Sequence, residues 1–236
     1  MISVIIPAYN EEHCLPLLLR AIASQYKSIR NGIEVVVVDN NSSDNTKQLV
    51  QQFISNNPNM SVKLVEETRP GVTFARNTGA RHASGTMLVF LDADNLIERD
   101  FLSEIYKKSF VESYQAGTIL CLPDSNTMVG QFVFRCLELI KTTFVGRPFG
   151  KNFCRKDVFE TVGGYDTTLS LGTNLEFLTR VRLHLKQQGE KMGHVTKPVY
   201  VSMRRFERYG YAPILAKWFL AYIGIGRRRI RYGRLI

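Results

Sequence analysis

Residues 88–95 read LVFLDADN. Four apolar residues run directly into two aspartates one residue apart. A run of this kind reads as a buried strand that ends at a polar rim. Two like charges at such an end repel unless something positive sits on them. Asp92 and Asp94 extend that strand, so its period of two points both carboxylates to one face. Hard carboxylate oxygens on one face suit Mg²⁺ or Mn²⁺. Such a cation would clamp a diphosphate and neutralise charge as it leaves. Alone, the tripeptide is weak evidence: eight aspartates in 236 positions give about a quarter of one D-x-D by chance. The bland alternative is a pair of solvated turn aspartates capping the next helix.

Upstream of that stretch, strands and helices alternate. ISVIIPAYN is a short β-rich run closed by Pro7, and EEHCLPLLLRAIASQ has helical spacing, with Leu15, Leu18, Leu19 and Ile22 on one face. IEVVVVDN is too continuously apolar to be half exposed, so it is a central parallel strand. NSSDNTKQLVQQFI supplies capping residues and then Leu49, Val50, Phe53 and Ile54. VKLVEE is a third strand, TFARNTGARHASG a helix stopping at Gly85, and MLVFL the fourth strand. This alternation predicts an α/β fold with an open, mostly parallel sheet of right-handed crossovers.

Beyond residue 95 the pattern loosens. RDFLSEIYKKSF reads as a helix, GTILCLP as a strand, FCRKDVFETVGGYD as a short helix ending at a glycine pair, and VTKPVYVSMRR as a late strand. LEFLTRVRLHLKQQG is amphipathic, with Leu175, Leu178, Val181 and Leu185 in register. Residues 124–150 are aromatic and irregular. The expected organisation is one domain over 1–203, with a nucleotide-binding half (1–95) and an acceptor half (96–203), followed by a basic tail over 204–236.

The net charge is +10, and the tail carries most of it: nine Lys and Arg against Glu207 alone. Its apolar stretch, Ala212 to Gly226, is short of the roughly 20 residues a bilayer span needs and contains Lys217. Trp218, Phe219 and Tyr222 beside an arginine cluster read as an interfacial segment on an anionic membrane surface. A C-terminal helix packed on the domain is the other reading. No nucleic-acid motif accompanies the charge, so no nucleic-acid partner is expected. Four scattered cysteines with no metal spacing, and a Met1 leading straight into a strand, point to a cytoplasmic protein, peripheral on the inner face of the membrane.

Ligands of open α/β sheets sit at the carboxyl ends of the strands. Here those ends read PAYNEE, VDNNSSDN, EETRPG and LDADN. No G-x-G-x-x-G follows the first strand, and there is no G-x-x-x-x-G-K-[ST] loop, which argues against dinucleotide-dependent dehydrogenases and P-loop enzymes.

In order along the chain, SVIIPAYNEE, VVVVDNNSSDNT, GVTFARNTGARHASGTMLVFLDADN and VGGYD resemble the motifs of the family 2 glycosyltransferases, nucleotide-sugar-dependent enzymes of the GT-A fold. The match is dense over residues 1–100 and thinner over 150–182. The resemblance implies a nucleoside diphosphate-sugar donor, a glycan or lipid-linked acceptor, transfer with inversion, and Mn²⁺ or Mg²⁺. It implies that Pro7, Ala8, Tyr9, Glu11 and Ala93 line the nucleotide-sugar pocket, with Tyr9 able to stack on the base and Asp39 accepting from it. Arg76 would face the diphosphate, Asp92 the ribose and metal, and Asp94 would be the direct metal ligand. Taken singly, Tyr9 also reads as a core aromatic, Asp39 as a helix cap and Arg76 as a helix-surface residue.

One departure matters. The family's general base is an Asp in a Glu-Asp pair after the Gly-Gly-aromatic motif, and that position falls here on Thr173 and Asn174. Asn cannot accept the proton. Glu176 and Asp166 are the nearest carboxylates, so Glu176 is expected as base, although a carboxylate in a helix's first turn is also favoured by the macrodipole. A nucleotide-sugar binder without catalysis is the alternative, ahead of a sugar-phosphate nucleotidyltransferase, whose usual glycine-rich opening loop is missing.

Overall fold

The computed structural model describes residues 1–29, 32–124, 131, 150–211, 213, 214 and 216. Eight strands form one sheet, in the order β3-β2-β1-β4-β7-β6-β8-β5. They are β1 (Ile2–Ala8), β2 (Ile33–Asp39), β3 (Ser61–Glu66), β4 (Met87–Phe90), β5 (Leu96–Ile97), β6 (Ala116–Pro123), β7 (Lys151–Arg155) and β8 (Gly193–Val201). The first four are parallel neighbours, as expected. β7 is antiparallel to both β4 and β6, and β5 is antiparallel to β8.

Helices cover both faces, which explains the unbroken apolar runs. On one face, Val4, Ile6, Val35, Val37 and Val89 pack against Leu15, Leu18 and Ile22 of α1 (Leu15–Gln25), Val50 of α2 (Thr46–Asn56) and Phe101 and Ile105 of α4 (Phe101–Tyr106). On the other, Ile5, Val36, Val38, Leu88 and Phe90 meet Ala75 and Ala80 of α3 (Val72–His82), Phe159 of α5 (Lys156–Thr161) and Phe177, Leu178, Val181 and Leu185 of α6 (Thr173–Gln187). Period-two alternation thus feeds two cores from one strand. α3 lies so close that a Cβ on Gly79 would stand 2.5 Å from Ile5 Cγ2. In α6, Phe177 rather than Leu175 completes the buried stripe.

Three expectations need correction. β1 does not stop at Pro7 but runs through it to Ala8, beside Val38 and Asp39 of β2. The Ile5 carbonyl accepts from Leu91 N on the β4 side, and two residues on, Pro7 faces that side where the ladder has ended. β4 stops at Phe90, so Asp92 and Asp94 lie in a turn and do not extend a strand. The segment FCRKDVFETVGGYD is not all helix: its start belongs to β7, and the helix begins at Lys156. The irregular stretch up to residue 149 and the tail beyond residue 216 lie outside the described residues. Among the described residues, no helix is long and apolar enough to cross a membrane.

Candidate active site at the strand carboxyl ends

The loops after β1 and β2 are sewn together. Ser43 N donates to Asn10 Oδ1 at 2.8 Å, Glu11 N donates to Thr46 Oγ1 at 2.8 Å, and Asn45 N donates to Glu12 Oε2 at 3.0 Å. Asn10 and Asn41 take positive φ of 53° and 66°, a conformation Asn tolerates best among non-glycine residues. Asp44, not Asp39, serves the start of α2, its Oδ1 accepting from Thr46 N and Oγ1.

Asp39 is therefore left for something else. It is 6% exposed, and its Oδ1 has no hydrogen-bond partner among the described residues. A buried carboxylate oxygen without a donor is costly and calls for one. Pro7 and Ala8 lie beside it at the end of β1, and Tyr9, 41% exposed, follows them. After β3, Asn40 donates to the carbonyls of Glu67 and Arg69 and accepts from Gly71 N, fixing the third loop.

The aspartate turn carries the strongest electrostatics. Asn95 Oδ1 accepts from Asp92 N at 2.9 Å, and its amide donates to Asp94 Oδ1 at 3.4 Å. Arg76, buried on α3, donates from Nη2 to Asp92 Oδ1 at 2.7 Å. Lys151, buried at the start of β7, donates to Asp92 Oδ2. Burial pushes the Asp92 carboxyl up, but Lys151 and then Arg76 hold it well below the usual carboxylate range. The positive charge that the sequence demanded is thus supplied for Asp92 by two side chains of the chain itself. Arg76 Nη1 also donates to Asn174 Oδ1 at 3.0 Å, while its Nε lacks a partner among the described residues.

Beneath Arg76 lies Tyr165, whose ring centroid is 5.1 Å from the guanidinium carbon. It stacks on Phe177 at 4.5 Å and exchanges hydrogen bonds with the buried Asn152 amide. Burial pushes its hydroxyl up to about 12. Gly163 and Gly164, both at positive φ, turn the chain so that Asn77 of α3 can pair with the Tyr165 backbone in both directions.

Glu176 and Asp166 come together on the far side of Tyr165, which lines the same hollow. With Asn77, Gly163, Thr167 and Arg180 they line this hollow of about 490 Å³. Glu176 is paired with Arg180, whose Nη2 donates to Oε2 at 2.7 Å and to the Gly164 carbonyl at 2.7 Å. Two residues apart on a helix point about 200° apart, so Asn174 meets Arg76 while Glu176 meets Arg180.

Asp94 is oriented differently from Asp92: its Oδ2 is 3.3 Å from Arg204 Nη2 at the start of α7 (Arg204–Tyr209), which also donates to Glu11 Oε1. Sequence reasoning missed Lys151, Asn95, Asn152 and Arg204. Only Asn95, next to the aspartates, carried a local signal. The described residues hold no cluster of three potential metal ligands. Both Asp92 oxygens are engaged by Arg76 and Lys151, and a cation reaching the Asp94 carboxylate would have to displace Arg204. One carboxylate plus substrate phosphates is an ordinary Mg²⁺ or Mn²⁺ donor set, so the residues fit.

The architecture is the GT-A fold. The crystal structure of Staphylococcus aureus TarS 1–349 superposes with a TM-score of 0.69 at 20% identity, covering 93% of this chain and 65% of that one. A Pyrobaculum calidifontis mannosyltransferase solved with GDP-Man and Mn²⁺ gives 0.65 at 25% identity, covering 97% and 65%. Residues 3–144 match the model of glycosyl transferase family 2, and the chain belongs to that family. Glycosyltransferase AglE of Haloferax volcanii is 31% identical over 76% of this chain, which spans 60% of AglE. The Escherichia coli UDP-Glc:α-D-GlcNAc-diphosphoundecaprenol β-1,3-glucosyltransferase WfgD is 33% identical over 66% of each.

Proposed function

We propose that this chain transfers a sugar from a nucleoside diphosphate donor to a hydroxyl of a glycan or lipid-linked acceptor, with inversion and with help from Mn²⁺ or Mg²⁺. The observation that carries the reading is the buried, partnerless Asp39 oxygen at the sheet's carboxyl edge. It is an acceptor of the kind a nucleobase N–H would satisfy. Pro7, Ala8 and Tyr9 would flank that base, and Ala93 would close the pocket floor. Asp92, Arg76 and Lys151 together carry a net positive charge, as does a wall that receives a diphosphate. Asp94, with Glu11 nearby, would hold the divalent cation. Bound there, it would stabilise negative charge on the departing diphosphate.

Inversion requires one in-line attack by the acceptor oxygen, with a base taking its proton. Glu176 is the base in this reading, and Asp166 in the same hollow is the second candidate. To accept a proton Glu176 must loosen its pair with Arg180, which still donates to the Gly164 carbonyl. A second reading, donor binding without transfer, is favoured by Asn174 at the usual base position.

The relative WfgD bears a lipid-linked acceptor in its name. That agrees with a basic C-terminal segment lying on an anionic leaflet, which liposome flotation with and without residues 217–236 tests.

Two variants test the function. Asp39→Ala is expected to abolish nucleotide-sugar binding while leaving the thermal midpoint unchanged. Glu176→Gln is expected to abolish turnover and spare donor binding. Unchanged donor affinity in the first, or unchanged turnover in the second, refutes the corresponding role.

A further inference from the structure

Arg204 sits far from Glu11 and Asp94 in sequence and against both in space. It is the first residue of α7, immediately after β8 and the turn that follows it. A single guanidinium nitrogen, Nη2, serves both Glu11 Oε1 and Asp94 Oδ2, while Nη1 lies 3.6 Å from Cys14 Sγ. The two carboxylates are largely covered, with side chains 12% and 17% exposed, whereas Arg204 is 41% exposed. Its helix is seated by Met203 and Phe206 packed with Cys121. The C-terminal part of the chain thus reaches over the first loop and the aspartate turn with one cation.

We propose that Arg204 is the resting counter-cation of Asp94 and Glu11, and that it exchanges with the divalent cation, carrying α7 off its seat when the metal arrives. This rests on Asp94 being the metal ligand. Two cations do not share the same carboxylate oxygens without strong repulsion. A guanidinium does not relieve that by losing its proton, so it has to move. Its pair is partly exposed and hence weak enough to give way. The exchange keeps the carboxylates from repelling each other before the donor comes, and it couples metal arrival to the position of α7.

The test is titration of Mn²⁺ alone into the full chain, with free Mn²⁺ followed by electron paramagnetic resonance. Arg204→Ala is expected to bind Mn²⁺ roughly two- to fivefold more tightly than the wild type, the range that one partly exposed ion pair carries. Arg204→Lys is expected to stay near the wild type. Should the alanine variant not fold, Arg204→Gln takes its place. In the wild type, saturating Mn²⁺ is also expected to speed amide exchange over residues 204–209. Equal or weaker Mn²⁺ binding in Arg204→Ala, no Mn²⁺ binding in either protein, or unchanged exchange over α7 overturns the proposal. Nucleotide-sugar binding is scored separately on the wild type, where its loss counts against the proposed function.

Discussion

Asp92 is first of all a counter-ion, and a double-mutant cycle measures it. In Asp92→Asn, Arg76 and Lys151 keep their charges, with side chains only 6% and 9% exposed, and lose the anion between them. Each cation loses its attraction to the carboxylate, ~4 kcal/mol for unit charges about 4 Å apart at an effective dielectric of about 20, against which the desolvation of the carboxylate is set. Asp92 itself is 37% exposed, so water screens part of that, and the expected loss is about 2 kcal/mol. Lys151→Met leaves a matched Arg76–Asp92 pair and is expected to cost about 1 kcal/mol or less. Both single variants lose the Lys151–Asp92 attraction, and the double variant loses it only once. The two changes should therefore combine with a favourable coupling of about 1–2 kcal/mol, well outside the ~0.5 kcal/mol spread of independent sites. Urea denaturation midpoints at neutral pH, with unchanged slopes, give all four stabilities. Strict additivity would mean that Asp92 and Lys151 do not interact, and the electrostatic account of the site would be wrong.

Glu67 makes a pH-dependent prediction. Arg69, with Thr78 and the Arg69 backbone N–H, pulls its carboxyl down to about 2 against the effect of burial. As pH falls the unfolded chain binds this proton first, so the stabilisation present above about 4.5 is lost on the way to 2. Glu67→Gln should cost about 1–2 kcal/mol at pH 7, discounted because Arg69 is exposed, and the gap to wild type should narrow across that window in acid unfolding curves. Tyr165→Phe strands the fully buried Asn152 amide and should cost about 1–3 kcal/mol in thermal or urea unfolding. Gly79→Ala drives a methyl onto Ile5 and Val38, and calorimetry should show a loss of about 1–3 kcal/mol as α3 is pushed off the sheet.

The parallel half was legible because each β-α unit announces itself locally. Val35 to Val38 are apolar without break because each faces one of two cores, and Leu15, Leu18, Leu19 and Ile22 repeat at helical spacing because only one face of α1 is covered. β7 was not legible. It is five residues long, begins and ends with basic residues, and is held by antiparallel neighbours that no local pattern names. That same miss hid Lys151, because its partner Asp92 lies 59 residues away. Arg204 was hidden for the same reason, and its charge was counted with the basic C-terminal tail. The aspartates were found, but their geometry was misjudged. Strand alternation was extended past Phe90, whereas the hydrogen bonds of Asn95 close a turn that gives Asp92 and Asp94 different partners. That Asn174 falls where the family resemblance implies a carboxylate could be read from the sequence, but its bond to Arg76 required the fold.

The central claim is that the carboxyl edge of this sheet holds a nucleoside diphosphate-sugar with a divalent cation. Calorimetric titration of the purified protein with UDP-, GDP- and dTDP-sugars, each with Mn²⁺ and with chelator, addresses it directly, with released nucleotide measured in the same samples. The account predicts that one donor binds only when Mn²⁺ is present and is slowly cleaved to free nucleoside diphosphate. Failure of every donor to bind under either condition would contradict it.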